Sequence, residues 1–336
     1  YHRMSETLLR EHKCRHVLGT ITSIGRKEVI PIIEKHDGLL WYALPYEGFE
    51  VCENVIYTGA APNQHILPLF AHMLSNFGNR VYLTGSNYVW GWEVNRIARE
   101  LVTATGGEIV GERYLAFDDT EVSRIIGEIE QKRPDFILNN LIGSSSYSFL
   151  RAYHELGLRN SDFLPETRPV SSCDLTECEL TDIGVDAARG HLSSAVYFEK
   201  LDNQLNREFR AKVTAKHGAD RSLSTFLVAG YEAVHMLAWA IAHSGTDDIE
   251  QVKESLYSKK FSTAMGQVSI DRKTNHAALT PCLGRINENL EFDIIEKADN
   301  AVVADPYLVN FDARKFAEQI VSARKRNSAN FLRVVN

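Results

Sequence analysis

The chain has little that would tie it to nucleic acid, a bilayer or a metal. Its cysteines are five, Cys14, Cys52, Cys173, Cys178 and Cys282, an odd number at irregular spacing that makes no disulfide framework and points to a reducing compartment. Basic blocks and aromatic-plus-arginine clusters are missing, and a formal charge of −7 is spread along the chain, which leaves direct nucleic-acid binding without a surface. The longest clean apolar stretch, Phe226 to His243, is interrupted by Gly230, Glu232 and His235 and falls short of a membrane-spanning run. Internal repeats, low-complexity tracts and Gly/Ser linkers are absent, so any lobes are not strung on a flexible tether. The chain opens at Tyr1, without Met, inside an amphipathic pattern in which Met4, Leu8 and Leu9 share a face. It therefore reads as N-terminally incomplete, and any signal peptide would lie upstream.

What is present is ample apolar residue, 44% with 10% aromatics over 336 residues, enough for the cores of two domains. From His16 onward short β-branched runs alternate with helix-period segments, the pattern of an α/β fold with parallel sheets covered on both faces. The spacing predicts strands at 16–20, 39–42 and 55–57 with a helix over 25–35. A second series follows: helix 66–77, strand 80–84, helix 93–105, strand 108–114, helix 120–132, strand 136–139, helix 146–156, strand 169–172, a short helix from Leu175 and strand 190–197. Helices at 205–217, 223–243 and 249–256 then need a sheet to cover, and late β segments appear at 266–270, 283–286 and 292–295. The economical division is lobe I from 1–60 plus 198–270, lobe II from 61–197 plus 271–300, and a C-terminal tail, 301–336, packed on the lobes.

The most informative stretch is Trp41 to Glu50, WYALPYEGFE. A buried parallel strand here runs into a loop carrying two tyrosines, a proline and two carboxylates, and ligands of open α/β sheets bind just beyond such strand ends. Phenols on a stiffened backbone suit a small uncharged polar solute better than a phosphate. The nearby GTITSIGRK, Gly19 to Lys27, has five residues where a phosphate loop needs four between its glycines, and no hydroxyl after the Lys. What survives is Ser23, either a helix N-cap or a group that holds a ligand oxygen together with free backbone N–H groups. Tyr88 and Trp90, on the loop from Gly85 to Trp92, either pack a domain or touch a ligand. The serines of Asn139 to Ser146 read as caps or rim groups. Asp174 either caps the helix after it or accepts two ligand N–H groups.

Catalytic and metal signatures do not assemble. Neither H-E-x-x-H nor G-x-S-x-G occurs, and the Cys/His clusters at His12 to His16 and Cys173 to Cys178 lack a second half at zinc spacing. Cys173 and Ser23 are the only nucleophile candidates for an amidohydrolase, and neither has a base nearby in sequence. The expectation is a protein that is not an enzyme and takes no cofactor or metal.

With these residues in view, the chain resembles the type I periplasmic-binding-protein superfamily, within it the short-chain amide and urea binders that include regulators of aliphatic amidase operons. The resemblance rests on Ser23 through Arg26-Lys27 and Pro31, on Tyr42 with Pro45 to Glu50, and on Tyr57 to Gln64. Gly85-Ser86 with Tyr88, Gly266 to Val268 with Asn275-His276, and Asp305-Pro306-Tyr307 extend it over nearly the whole chain. It implies two Rossmann-like lobes closing on a small solute, with the first βαβ unit missing from the sequence. It also implies ligand contacts from Ser23, Tyr42, Pro45 and Tyr88. Ile21, Leu44 and Trp90 replace polar residues of the family pattern, and Asp174 stands where a neutral hydroxyl is usual; Ile142 completes the expected lining. The implied function is binding an amide- or urea-like solute as a cytoplasmic ligand sensor with a regulatory protein partner. The alternative is an exported receptor that serves an ABC permease for urea, amides or amino acids; a homo-oligomer is left open.

Overall fold

Periodicity in the sequence becomes alternating strand and helix in the computed structural model, which describes residues 1–218 and 221–334. The chain starts α1 (His2–Arg10), β1 (His16–Leu18), α2 (Ser23–Lys35), β2 (Leu39–Tyr42) and β3 (Val55–Tyr57). It continues α3 (Ile66–Asn76), β4 (Arg80–Ser86), α4 (Val89–Ala104), β5 (Glu108–Leu115), α5 (Ser123–Lys132), β6 (Phe136–Asn140) and α6 (Ser144–Arg159). Then come β7 (Val170–Ser172), α7 (Glu177–Ile183), α8 (Val185–Ala188), β8 (Leu192–Ala195), α9 (Gln204–His217), α10 (Thr225–Ser244) and α11 (Ile249–Tyr257). The last elements are β9 (Phe261–Thr263), β10 (Gly266–Ile270), β11 (Ala277–Ala278), β12 (Cys282–Ile286), β13 (Phe292–Lys297) and α12 (Ala313–Val334).

Two units result, each discontinuous in sequence: Tyr1–His65, Ala195–Cys282 and Glu296–Tyr307 form unit 1, and Ile66–Ser194, Leu283–Ile295 and Leu308–Asn336 form unit 2. Residues 271–282, assigned from the sequence to the second lobe, belong to unit 1, and the stretch read as one tail divides at residue 307. Most of that tail is the long helix α12, whose Phe316 and Ile320 are buried in unit 2 and whose Arg324 Nε donates to Leu74 O at 2.7 Å. The final two residues of the predicted tail, 335–336, lie outside the described residues.

In unit 1 the parallel order β1-β2-β3 is set by wholly buried runs: LLWY in β2 and VIY in β3 leave no polar face. Helix α2 packs Val29, Ile32 and Ile33 into the same core, which also takes Tyr42, Tyr46 and Tyr57. A small antiparallel sheet β9-β10-β11 was only partly foreseen, since β9 and β11 are three and two residues long and carry no periodic signal. Helix α10 is long and apolar enough to cross a bilayer by length and composition. Its Glu232 nonetheless sits buried within unit 1, accepting Ala264 N–H at 2.8 Å, as in the core helix of a folded domain.

In unit 2 a seven-stranded sheet runs β13-β12-β8-β7-β6-β4-β5, with parallel pairing from β8 through β5. All the carboxyl ends of β4, β6 and β7 therefore open on one edge of the sheet, where the motif residues of this unit lie. Helix α4 begins at Val89, four residues before the predicted start, because Val94, Ile97, Ala98 and Leu101 extend an apolar stripe that Trp90 opens. Trp90 is therefore a first-turn helical residue and not a loop residue.

One glycine locks the start of the informative loop. The backbone of Gly59 lies against Leu44 and Pro45 so closely that a Cβ would stand 1.9 Å from Leu44 O. No rotamer relieves a clash with main chain, so Gly59→Ala is expected to lower stability by at least about 1–3 kcal/mol, read as a fall in the urea midpoint at unchanged slope.

Candidate functional site

The charged end of WYALPYEGFE is drawn inward. Arg26, in the first turn of α2, is completely buried and donates to Glu47 Oε1 at 2.8 Å and to Glu50 Oε1 at 2.7 Å. Its guanidinium lies over the rings of Tyr42 and Tyr46 at 4.8 and 4.7 Å. Burial opposes the charge, but Glu47 and Glu50 outweigh it and hold Arg26 more firmly protonated than usual. Lys27 adds a second cation, 2.9 Å from Glu50 Oε2. The Tyr57 phenol donates to Glu50 at 2.9 Å, and the Tyr46 phenol and His276 Nε2 are 2.5 Å apart. His276 stacks on Tyr57 at 4.1 Å, and burial lowers its pKa to about 4, so it is neutral at physiological pH.

The loop is also tied to a distant segment. Gly48 and Phe49 both adopt positive φ, 79° and 57°. That turn lets Phe49 N–H donate to Pro306 O at 2.8 Å and brings its ring edge-on to Tyr307. A Cβ on Gly48 would stand 2.5 Å from Pro306 O, so this position needs glycine on two counts. The motifs Tyr46 to Glu50 and Asp305 to Tyr307, far apart in sequence, are thus one piece of unit 1.

Ser23 is the first residue of α2 and not its cap; Thr22 takes that role, accepting Gly25 N–H at 3.1 Å. The Ser23 hydroxyl is buried and donates to Glu47 Oε2 at 2.5 Å. Tyr42 is buried beside it, and burial raises its pKa to about 12 against the opposing pull of Arg26. Leu44 and Pro45 are half-buried, Leu44 packing on the unit 1 core, while Ile21 is 63% exposed.

Unit 2 gathers a second group at the ends of β4, β6 and β7. Tyr88 and Trp90 are buried, Tyr88 lying 4.8 Å from the Phe117 ring. Ile142 is half-buried, its N–H donating to Ser86 Oγ at 3.0 Å. The serines after it do not cap: the N-cap of α6 is Gly143, and Ser146 instead accepts from Asn139 at 2.9 Å. Asp174 is half-buried and accepts the Ser172 hydroxyl. Burial raises its pKa to about 7, with the hydrogen bond from Ser172 holding it down and the Glu179 charge pushing it up. The cap of α7 is Thr176, in a reciprocal box with Glu179, so Asp174 is not the cap. Tyr147, 3.4 Å from Glu179, completes this acidic corner.

The structure thus brings Ser23, Tyr42, Leu44 and Pro45 together in unit 1, and Tyr88, Trp90, Ile142 and Asp174 to the strand ends of unit 2, leaving Ile21 on the surface. Sequence reasoning missed the structural tie formed by Arg26, Glu47, Glu50, Tyr57 and His276, although every one of them lies in a motif quoted for its likeness. The available signal was charge flanked by buried apolar runs, which demands a partner inside. As nucleophile candidates, Cys173 is buried with its thiol pushed well above the usual range by burial, and Ser23 is bonded to a carboxylate already claimed by Arg26. Among the described residues no group of three or more His, Cys, Asp or Glu is placed to hold a metal.

Comparison with known proteins places the chain among binding proteins. The family described as periplasmic binding protein domain matches residues 1–313. A solute-binding protein of an ABC transporter from Rhodopseudomonas palustris HaA2, solved with p-hydroxybenzoic acid, is similar with a TM-score of 0.79 and 20% identity, covering 92% of this chain and 85% of that one. An amino acid ABC transporter substrate-binding protein from Pseudomonas fluorescens Pf-5 is similar with a TM-score of 0.75 and 20% identity over 90% of this chain and 82% of that one. A leucine binding protein from Thermotoga maritima MSB8 gives 0.71 and 18% over 88% and 83%. At these identities the likeness is one of fold. A limonene hydroxylase of Geobacillus stearothermophilus is 28% identical over 128 residues, which is 38% of this chain and 23% of that protein's length.

Two substitutions check the electrostatics. Arg26→Ala leaves the buried Glu47 carboxylate without its arginine partner and is expected to cost about 3–5 kcal/mol in chemical denaturation. Asp174 holds its proton in the folded state up to a pH of about 7, whereas the unfolded chain loses it near the ordinary 3.8, so stability falls as pH rises between those values. Asp174→Asn should therefore stabilise the protein above pH 7, by on the order of 1–2 kcal/mol after solvent screening, and make no difference below the ordinary value. Thermal unfolding across that range measures both.

Proposed function

The chain belongs to the periplasmic-binding-protein domain family, and on that premise we propose that it binds a small solute reversibly, without chemistry, as the receptor of an ABC-type permease. The observation that carries the ligand class is Asp174 at the end of β7, a half-buried carboxyl poised between neutral and charged that accepts the Ser172 hydroxyl, with Tyr88 and Trp90 buried in the same unit. Such a group accepts from an amide, amidine or ammonium when ionised and donates to a carbonyl or carboxyl oxygen when protonated. The ligand is then compact, with a polar nitrogen or carboxyl head and an aromatic or aliphatic body. The similar structure solved with p-hydroxybenzoic acid and the similar amino acid ABC transporter substrate-binding protein support a ligand of this size and shape.

The second reading keeps the amide- or urea-sensing regulator. It is favoured by the Arg26–Glu47–Glu50 tie, built from residues that carry the likeness to the amide-binding branch. Under that reading the bound state is recognised by a regulatory protein and not by a permease. In either case solute must favour one state of the protein for a partner to read it.

A thermal-shift screen over benzamide, acetamide, urea, benzamidine, amino acids and 4-hydroxybenzoate tests the proposal, since a ligand at a hundred times its dissociation constant adds about 2.7 kcal/mol. Silence across all classes overturns it. Stabilisation by short amides and urea alone favours the sensor, and stabilisation by aromatic acids or amino acids favours the permease receptor. A cationic ligand such as benzamidine should bind more tightly as pH rises through about 7, where Asp174 ionises, and Asp174→Ala should abolish that dependence.

A further inference from the structure

We propose that unit 1 carries a second solute site at the amino ends of its strands, a cavity of about 660 Å³ that takes an aliphatic amino acid as its zwitterion, with the carboxylate on Lys13 and the ammonium on Asp37. The cavity is bounded by the end of α1, the residues just before β1, β2 and β3, and the first turn of α11. Ligands of open α/β sheets bind beyond the carboxyl ends of the strands, where Tyr42 and Leu44 lie in this unit, so the cavity is separate from the site described above. Its volume falls within the range of small-molecule pockets.

The charges of the lining select the ligand. Three cations, Arg10, Lys13 and Arg15, stand against three carboxylates, Asp37, Asp248 and Glu250. Four of these six are engaged within the protein. Arg10 pairs with Glu6 at 3.0 Å, Arg15 with Asp247 at 3.3 Å and Glu250 with Lys253 at 3.0 Å, while Asp248 caps α11 by accepting Gln251 N–H at 3.2 Å. Among the described residues, the side chains of Lys13 and Asp37 have no partner, which leaves one free charge of each sign. Both residues stand in the left-handed backbone region, with φ of 53° and 50°, a region that a lysine enters against its own sterics. His36, also in the lining, keeps its Nε2 buried without a hydrogen-bond partner. A ligand of one sign would satisfy one of the free charges and be repelled by the other. A zwitterion satisfies both. Leu9 and Ile249 add apolar wall, which suits an aliphatic body better than a sugar or a phosphate.

Cys14 lines the same cavity and is half-buried, so its alkylation reports occupancy, with the exposed Cys178 of unit 2 as internal control. Leucine, isoamylamine and isocaproate share one aliphatic body and differ in the charged groups they carry. Each is titrated into the protein, and labelling by iodoacetamide is read by mass spectrometry. Leucine should slow labelling of Cys14 and not of Cys178, half-protecting at a concentration at least about threefold below either analogue, the scale of one partly exposed ion pair. Lys13→Asn should weaken protection by leucine and leave isoamylamine no weaker; Asp37→Asn should weaken leucine and leave isocaproate no weaker. Asparagine tolerates the left-handed backbone at both positions, so both variants are expected to keep the fold, and if one fails to fold by circular dichroism the other decides. Absence of protection by leucine, equal protection by all three compounds, or variants that weaken every ligand alike overturns the proposal. The readout is local to this cavity, so its failure leaves the proposed function to the solute screen.

Discussion

The burial of one arginine organises unit 1. A guanidinium removed from water is untenable unless its charge is met, and Arg26 meets two carboxylates from a single loop. Those bonds dictate the path of residues 43–50: the loop must fold back far enough for Glu47 and Glu50 to reach the first turn of α2. The aromatic rings then have little choice. Tyr42 and Tyr46 supply the faces under the guanidinium, and Tyr57 closes the far side of Glu50. Such networks add less to net stability than well-packed hydrocarbon of the same volume, and what they contribute is a single permitted arrangement. Leu44 and Pro45, in the same loop, are held in one place by that uniqueness more than by strength.

Unit 2 solves its own electrostatic problem in a different way. Asp174 accepts a hydrogen bond from Ser172 with no salt-bridge cation among the described residues, and its neighbour Glu179 carries the same charge, so the carboxyl is left close to its midpoint at neutral pH. Nothing in the packing requires an acid there; a neutral side chain would avoid the desolvation altogether. A carboxyl that costs stability and is met by a hydroxyl and not by a cation is the kind of exception expected at a recognition site. In unit 1 the charges are closed in pairs. In unit 2 one is left adjustable.

Much of the architecture was legible because it rests on period and on residue type. Continuous apolar runs placed β2 and β3 to the residue, and the alternation after Ile66 gave the doubly wound unit. Where the reading failed, the cause was tertiary. The two-residue β11 and three-residue β9 exist only because β10 lies between them. Helix α4 starts early because Trp90 is buried, which no local propensity announces, and α12 lies beyond a proline and polar run that reads as tail. At the candidate site, strand-end loops were found by position, but hydrogen-bond direction was not. Whether Ser23 gives or takes a proton depends on Glu47, twenty-four residues away.

The tie between Phe49 and Pro306 has a consequence for how the chain is made. Unit 1 receives its last segment, Glu296–Tyr307, after the bulk of both units has been synthesised. The left-handed turn at Gly48 and Phe49 has its anchor only then, so on a ribosome the loop spends nearly the whole of translation unsecured, with two carboxylates and an arginine seeking burial. Chains whose early segments wait for late partners fold slowly and expose unfinished cores. Truncating the protein anywhere before residue 307 would therefore harm its beginning as much as its end.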